Sequence, residues 1–316
     1  MTFSSHAGEF AGRPVTAVPA DGPLPTVDGP VAWHFSVWDY DVADAEGSLH
    51  KGFADGFERF VAESGPRVEA LVIGAWGYAA FNDAPIAQIC AAAPRLPNLR
   101  ALFLGDQITE ECEVSWMRVG DVSELLNAYP ALEILRVRGS AEHMTFSPVR
   151  HAALRELAVE TGGLSRELTG NVLTSELPAL TTLELWIGTQ DYGRDTDLAD
   201  LAPLLGGEVH TGVRRLGLRN AQIADELAAN LATSPVVPRL ETLDLSLGTL
   251  GDRGGEALLS GQPLTHLSKL DLHHHYLSAE MAQRIVDALP GVTVDVSDMQ
   301  EDDEDDESYR YTAVGE

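Results

Sequence analysis

At 316 residues, 44% of them hydrophobic, the chain is long enough for two ordinary domains or one extended repeat array, and it has apolar material for a sizeable core. Its 49 acidic residues against 21 basic ones leave a net charge of -28 at pH 7; nine carboxylates and one Arg from Asp298 onward supply -8, so residues 1–297 carry -20 themselves. Binding to phosphate backbones or anionic membranes needs clustered Lys and Arg, so this balance excludes nucleic acid and membrane as expected partners.

The opening MTFSSHAGEFAGRPV lacks the basic start and apolar run of a secretory signal. No stretch approaches the roughly 18 uncharged apolar residues of a membrane-spanning helix. Two cysteines, Cys90 and Cys112, are too few for a disulfide scaffold, so a reducing, cytoplasmic setting is expected.

Taken in chain order, residues 1–30 read as an extended lead-in, with five prolines between Pro14 and Pro30. Val31 to Tyr40 alternates Trp33, Phe35 and Val37 with polar positions, which predicts a strand. Phe53, Phe57, Phe60 and Val61 fall at helical spacing, so Lys51 to Glu63 reads as a helix stopped by Ser64-Gly65-Pro66. Together these make residues 31–66 an N-terminal capping strand and helix.

From Val68 a strand signature recurs: Val68-Leu71-Ile73, Leu99-Leu102-Leu104, Leu132-Leu135-Val137, Leu154-Leu157-Val159, Leu180-Leu183-Leu185, Val213-Leu216-Leu218, Leu240-Leu243-Leu245 and Leu267-Leu270-Leu272. Successive starts lie 31, 33, 22, 26, 33, 27 and 27 residues apart, and Val292 and Val294 suggest a weaker last strand. Helical apolar spacing at Val122 to Ala128, Ile223 to Leu231, Gly255 to Leu259 and Met281 to Leu289 puts helices between the strands. A short leucine row cannot make a core alone but can stack on its neighbours, so residues 67–297 read as a solenoid. Strands about 4.8 Å apart backed by helices about 10 Å apart bend the array into a horseshoe, the parallel sheet on the concave side and helices on the convex. A doubly wound α/β sheet is the competing architecture.

This periodicity resembles the ribonuclease-inhibitor type of leucine-rich repeat. The run from FADGFERFVAE through LVIGAWG, LRVRG, LRELAVETGGL, LELWIGTQDYG, LGLRNAQIADELAANLA and LETLDLSLGTL to LDLHHHYLSAEM and LPGVTVDVSD looks like an uncharacterised bacterial leucine-rich-repeat family. The resemblance implies the fold and protein binding, with no catalytic residues to carry over. Gln107, Ala221, Gly248 and His275 stand where such repeats commonly place Asn, so an asparagine ladder is not expected.

With the leucines inward, two columns face out: Phe103, Arg136, Ala158, Glu184, Gly217, Asp244, Asp271, and Gly105, Arg138, Glu160, Trp186, Arg219, Ser246, His273. The predicted partner surface is Phe103, Arg136, Arg138, Glu184, Trp186, Arg215, Arg219, Asp244 and Asp271. An aromatic ring beside Arg suits a binding hot spot; charges on adjacent strands satisfying one another explain the same pattern equally well. His273-His274-His275 could ligate a metal, but consecutive strand residues alternate in direction, and His275 suits the structural Asn position better. Asp191, Asp195, Asp197 and Asp200 could suggest calcium, yet Asp197 before Leu198 is better placed as a helix cap. Cys90 sits in the apolar helix Ile86 to Ala93 and Cys112 among glutamates, so neither reads as a nucleophile. No Gly-x-Ser-x-Gly, P-loop or His-Glu-x-x-His pattern occurs.

Residues 298–316 read as a solvated acidic tail, although alternation of Tyr309, Tyr311 and Ala313 would let the end pair back on the last strand. These features predict a non-enzymatic protein-interaction module without metal or cofactor. The alternatives are a metal-dependent protein using His273 to His275, and an acidic regulator of a basic enzyme.

Overall fold

A computed structural model describes residues 4–20, 22–38, 51–302 and 310–315. The expected strand end at Asp39 and Tyr40 and the tail's Tyr309 lie outside the described residues. The chain divides into two compact units, Met1–Glu160 with Ser175–Ala179, and Thr161–Thr174 with Leu180–Gly315.

The first unit opens with an antiparallel hairpin, β1 (Glu9–Phe10) and β2 (Arg13–Ala17), turned through Ala11 and Gly12, both at positive φ. From β2 the sheet continues in parallel through β3 (Ala32–Val37), β4 (Ala70–Trp76) and β5 (Ala101–Leu104). The next two chain segments, β6 (Gly120–Asp121) and β7 (Ile134–Arg138), part company. β7 pairs with β5, whereas β6 makes a separate parallel pair with β8 (Met144–Thr145). β9 (Glu156–Glu160) then lies beside β7.

Register aligns Trp33, Leu71, Leu102, Leu135 and Leu157 across neighbouring strands, and Phe35, Ile73, Leu104, Val137 and Val159 two residues on. Period-two alternation sends both rows to one face. There α1 (Lys51–Ser64) sets Phe53, Phe57 and Phe60 against Phe35, and Phe60 against Trp33, with ring centroids 5.0 to 6.3 Å apart. α2 (Ile86–Ala91) and α3 (Ser123–Ala128) follow β4 and β6 and contact one another.

The other face of this unit is covered by the lead-in. Ala70, Val72, Ala101 and Phe103 point away from the leucines, and Phe10 closes over them with Ala7 and Val15 alongside. The expectation of a plain extended lead-in is therefore corrected. An apolar face of this size needs cover, and the hairpin supplies it.

In the second unit α4 (Arg166–Thr174) leads to β10 (Thr182–Gly188), and α5 (Leu198–Leu205) to β11 (Arg215–Ala221). The alternation goes on with α6 (Ala224–Leu231), β12 (Thr242–Asp244), α7 (Asp252–Ser260), β13 (Lys269–Asp271), α8 (Ala279–Ala288) and β14 (Thr293–Asp295). β10 to β14 are parallel, with Leu183, Leu216, Leu243, Leu270 and Val294 in register. Leu270 lies among residues of α7 and α8, so here too the leucine row meets helices. Helix α4 has no counterpart in the sequence reading: Gly170 interrupts its short apolar set of Leu168, Val172 and Leu173.

Within β11 and just past β12 to β14, the residue five positions after each strand start is left-handed: Asn220, Leu247, His274 and Asp298, at φ 54, 67, 56 and 59. The amides of Asn220, Leu247 and His274 still donate to the next repeat, to carbonyls of Ser246, Ser297 for His274, and His273 for Leu247, at 2.8 to 3.0 Å. Across these same three positions runs the chain terminus. The Tyr311 carbonyl accepts from the Tyr276 hydroxyl at 3.1 Å and lies 3.5 Å from His274 Nε2; the Ala313 amide donates to the Leu247 carbonyl, and the Val314 amide to Asn220 Oδ1 at 3.0 Å. Val314 is 4% exposed. The solvated-tail expectation is thus corrected for residues 310–315, which strap three repeats together.

Candidate interaction face

The face of β10 to β14 opposite the leucines is polar, and its parts are joined by register. Thr182, Arg215, Thr242, Lys269 and Thr293 form one row; Glu184, Gly217, Asp244, Asp271 and Asp295 form the next; Trp186 pairs with Arg219 in a third. Gly217 matters to the middle row, since a Cβ there would lie 3.1 Å from the Glu184 side chain and 3.4 Å from that of Arg219.

Arg219 is the hub. Its Nη1 donates to Glu184 Oε1 at 2.8 Å, its Nε donates to Ser246 Oγ at 2.9 Å and lies 3.3 Å from Asp244 Oδ2, and its guanidinium sits 5.3 Å from the Trp186 ring centre. Trp186 Nε1 donates to the same Glu184 oxygen at 2.7 Å. Two donors on one carboxylate and an Arg over an indole hold both side chains in one arrangement. Burial pushes the Asp244 carboxyl upward, against the opposing pull of Arg219. Further along, Asp271 accepts from Lys269 Nζ and pairs with His273 Nδ1, both at 2.7 Å. Burial pushes the Asp271 carboxyl up, but the hydrogen bonds from His273 and Lys269 outweigh it and hold it well below its usual range. The same bond raises His273.

Of the nine predicted contact residues, Glu184, Trp186, Arg215, Arg219, Asp244 and Asp271 share this face. Trp186 is 3% exposed, and Asp271 is also buried. Trp186 is not open to a partner, because Arg219 reaches across from the adjacent strand and covers it. Arg215, at the row's outer edge, is exposed.

Phe103, Arg136 and Arg138 belong to the first unit and do not form a comparable surface. Phe103 is 1% exposed beneath Phe10, ring centroids 5.8 Å apart, with the guanidinium carbons of Arg136 and Arg138 5.5 and 5.2 Å from its centre. Arg138 is buried with Glu160, Nε to Oε2 2.7 Å. Lys269, His273 and Asp295 were not among the predicted contacts; their signal was the same offset in the last repeats.

No family model matches the chain, and no curated protein matches it. Among solved structures, a protein from Bacteroides fragilis is similar, with a TM-score of 0.71 and 29% identity over 82% of this chain and 76% of that one. A TLR13–ssRNA13 complex gives a TM-score of 0.37 and 14% identity, covering 72% of this chain and 33% of that one. A leucine-rich-repeat protein of Leptospira interrogans gives 0.21 and 12%, covering 81% and 96%. The last two are too distant to carry an argument. The molecule's own architecture is mixed α/β, with largely parallel strands, recurrent in-register leucines and intervening helices, as in leucine-rich repeats. Among the described residues no helix is long and apolar enough to cross a membrane.

The three consecutive histidines do not converge. His273 bonds Asp271; His274 faces Asp298 and Tyr311; His275 is buried, its Nδ1 accepting from the Leu277 amide and its Nε2 2.9 Å from the Val296 carbonyl. His275 therefore does the turn-bracing work of the absent Asn. Three of the aspartates of residues 191–200 are engaged: Asp197 caps α5 in a reciprocal box with Asp200, and Asp195 accepts from the Arg166 amide. Burial pushes the Cys90 thiol up to about 11 and that of Cys112 to about 12, so neither is a thiolate near neutrality.

Proposed function

We propose that the protein is a non-catalytic interaction module that takes a protein partner on the polar face of β10 to β14. The observation that supports this reading is the bracing of Arg219 by Glu184, Asp244, Ser246 and Trp186. Side chains already held in place lose little entropy on binding. Arg215 and Lys269 stand at the accessible edge and the acidic row Glu184, Asp244, Asp271, Asp295 runs beside them. Accessible Arg215 and Lys269 suit acidic groups on a partner and the row beside them suits basic ones, so the face favours a partner surface that carries both signs of charge.

The test is affinity capture from the native cell with the wild type and with Arg215→Glu/Lys269→Glu. Arg215→Glu alone should melt like the wild type and weaken binding of the captured partner; the double variant, which also loses the Lys269–Asp271 bond, should melt lower but stay folded and lose at least roughly tenfold in affinity. Binding should also weaken as salt rises. If the variant retains every partner at wild-type strength, this face is not the contact surface.

A further inference from the structure

The first unit holds a second cluster of polar groups that the interaction face does not use. His6 from the segment before β1, His34 from β3 and Asp106 just after β5 bring one ligand atom each to within 4.8 Å of one another. Sequence separation hid the group, since its members stand at positions 6, 34 and 106.

Its distances are informative. His34 Nε2 lies 3.5 Å from Asp106 Oδ2, His6 Nδ1 lies 3.8 Å from the same oxygen, and His6 Nε2 lies 3.5 Å from Glu111 Oε1. A protonated histidine on a carboxylate closes to hydrogen-bond length, as His273 does at 2.7 Å on Asp271 in this same protein. The His6 and His34 pairs stand well outside that length. Ligands about 2.0 to 2.1 Å from a tetrahedral zinc ion are about 3.3 Å from one another, close to the 3.5 Å of His34 Nε2 from Asp106 Oδ2 and of His6 Nε2 from Glu111 Oε1.

The polar bookkeeping agrees. His34 is 9% exposed and its Nε2, turned toward Asp106, has no hydrogen-bond partner. Gly74 makes room for the ring, because a Cβ there would fall 2.7 Å from Nε2. Asp106 is buried; its carboxylate accepts the Ala7 amide at 3.1 and 3.2 Å. His6 Nδ1 lies 3.0 Å from the Asp106 carbonyl, and donating there leaves Nε2 with its lone pair toward Glu111. Two imidazoles and two carboxyl groups make a donor set suited to one divalent ion.

We propose that His6, His34 and Asp106, with Glu111 on the open side, bind one divalent transition ion of the zinc class. Imidazole nitrogens select such ions over calcium and magnesium, which favour all-oxygen sites. The His6 side chain, 35% exposed, is the entry side. Bound there, the ion pins the N-terminal segment to the loop after β5. The Asp271, His273, Asp295 group is not proposed, because the Lys269 ammonium already occupies Asp271.

The experiment uses untagged full-length protein stripped with chelator and titrated with zinc chloride by calorimetry, with a thermal melt in parallel. One zinc per chain and a raised melting temperature are expected, with no response to magnesium or calcium. His6→Ala and Asp106→Asn should each weaken binding at least tenfold, whereas His273→Ala should bind as the wild type does. His6→Ala, in a partly exposed position, keeps the test valid should Asp106→Asn fail to fold. Absence of stoichiometric uptake by folded wild type, uptake indifferent to His6→Ala, or loss of uptake in His273→Ala overturns the site.

Discussion

Trp186 faces away from the leucine core yet is nearly inaccessible, because Arg219 from the adjacent strand lies over its ring while Glu184 holds its indole N–H. Truncating it removes packing as well as a contact. Trp186→Ala should cost about 3 kcal/mol in chemical denaturation, whereas exposed Arg215→Ala should change stability by less than about 0.5 kcal/mol. Partner binding is therefore better probed at Arg215. Asp271 and His273 offer a pH test. The raised His273 contributes stability that is full below its ordinary value of 6.5 and is lost as pH rises through the folded value; the depressed Asp271 contributes stability present above 3.8 and lost as pH falls below it. The pair contributes most between those limits. In Asp271→Asn the His273 titration followed by NMR should move to lower pH, and an unmoved titration would remove the hydrogen bond as its cause.

The strap of residues 310–315, read from the sequence as a tail able to pair back on the last strand, instead crosses three repeats. Left-handed residues recur at one offset in successive repeats, and they turn backbone groups outward at Asn220, Leu247 and His274. Asn tolerates this conformation, and Asn220 uses its amide to bond both the N–H and the carbonyl of Val314. Deleting residues 310–316 exposes the Val314 site and removes both bonds between the Asn220 side chain and Val314, leaving its contact with the Thr161 carbonyl at 3.5 Å. It should destabilise the second unit by about 2 to 4 kcal/mol, read as a lower denaturant midpoint. Asn220→Ala should then cost clearly less in the truncated chain than in the full one, since the two changes remove one shared interaction. Additive costs would mean that the strap does not depend on Asn220.

At the scale of the molecule, a charge of -28 at pH 7 works against the compact state through self-repulsion. Adding sodium chloride to about 0.5 M should raise the thermal midpoint, because screening relieves repulsion among acids more than it weakens a limited set of ion pairs. An unchanged or lower midpoint would show that the ion pairs dominate. The leucine rows, the parallel strands and most helices were legible in the sequence, since burial on one face imposes a period of two within strands and a regular interval between them. So was the charged row of the later repeats, for the register that aligns Leu216 with Leu243 also aligns Gly217 with Asp244. The helix from Arg166 was hidden by its glycine, and the burial of Phe103 and Trp186 by cover that comes from elsewhere in the chain. Phe10, His6 and Val314 act on residues about 90 to 100 positions away. No local period encodes such pairings. They follow from which surfaces remain uncovered once the repeats have stacked, and only the tertiary structure decided that the hairpin covers one face, the terminus straps another edge, and two histidines meet Asp106.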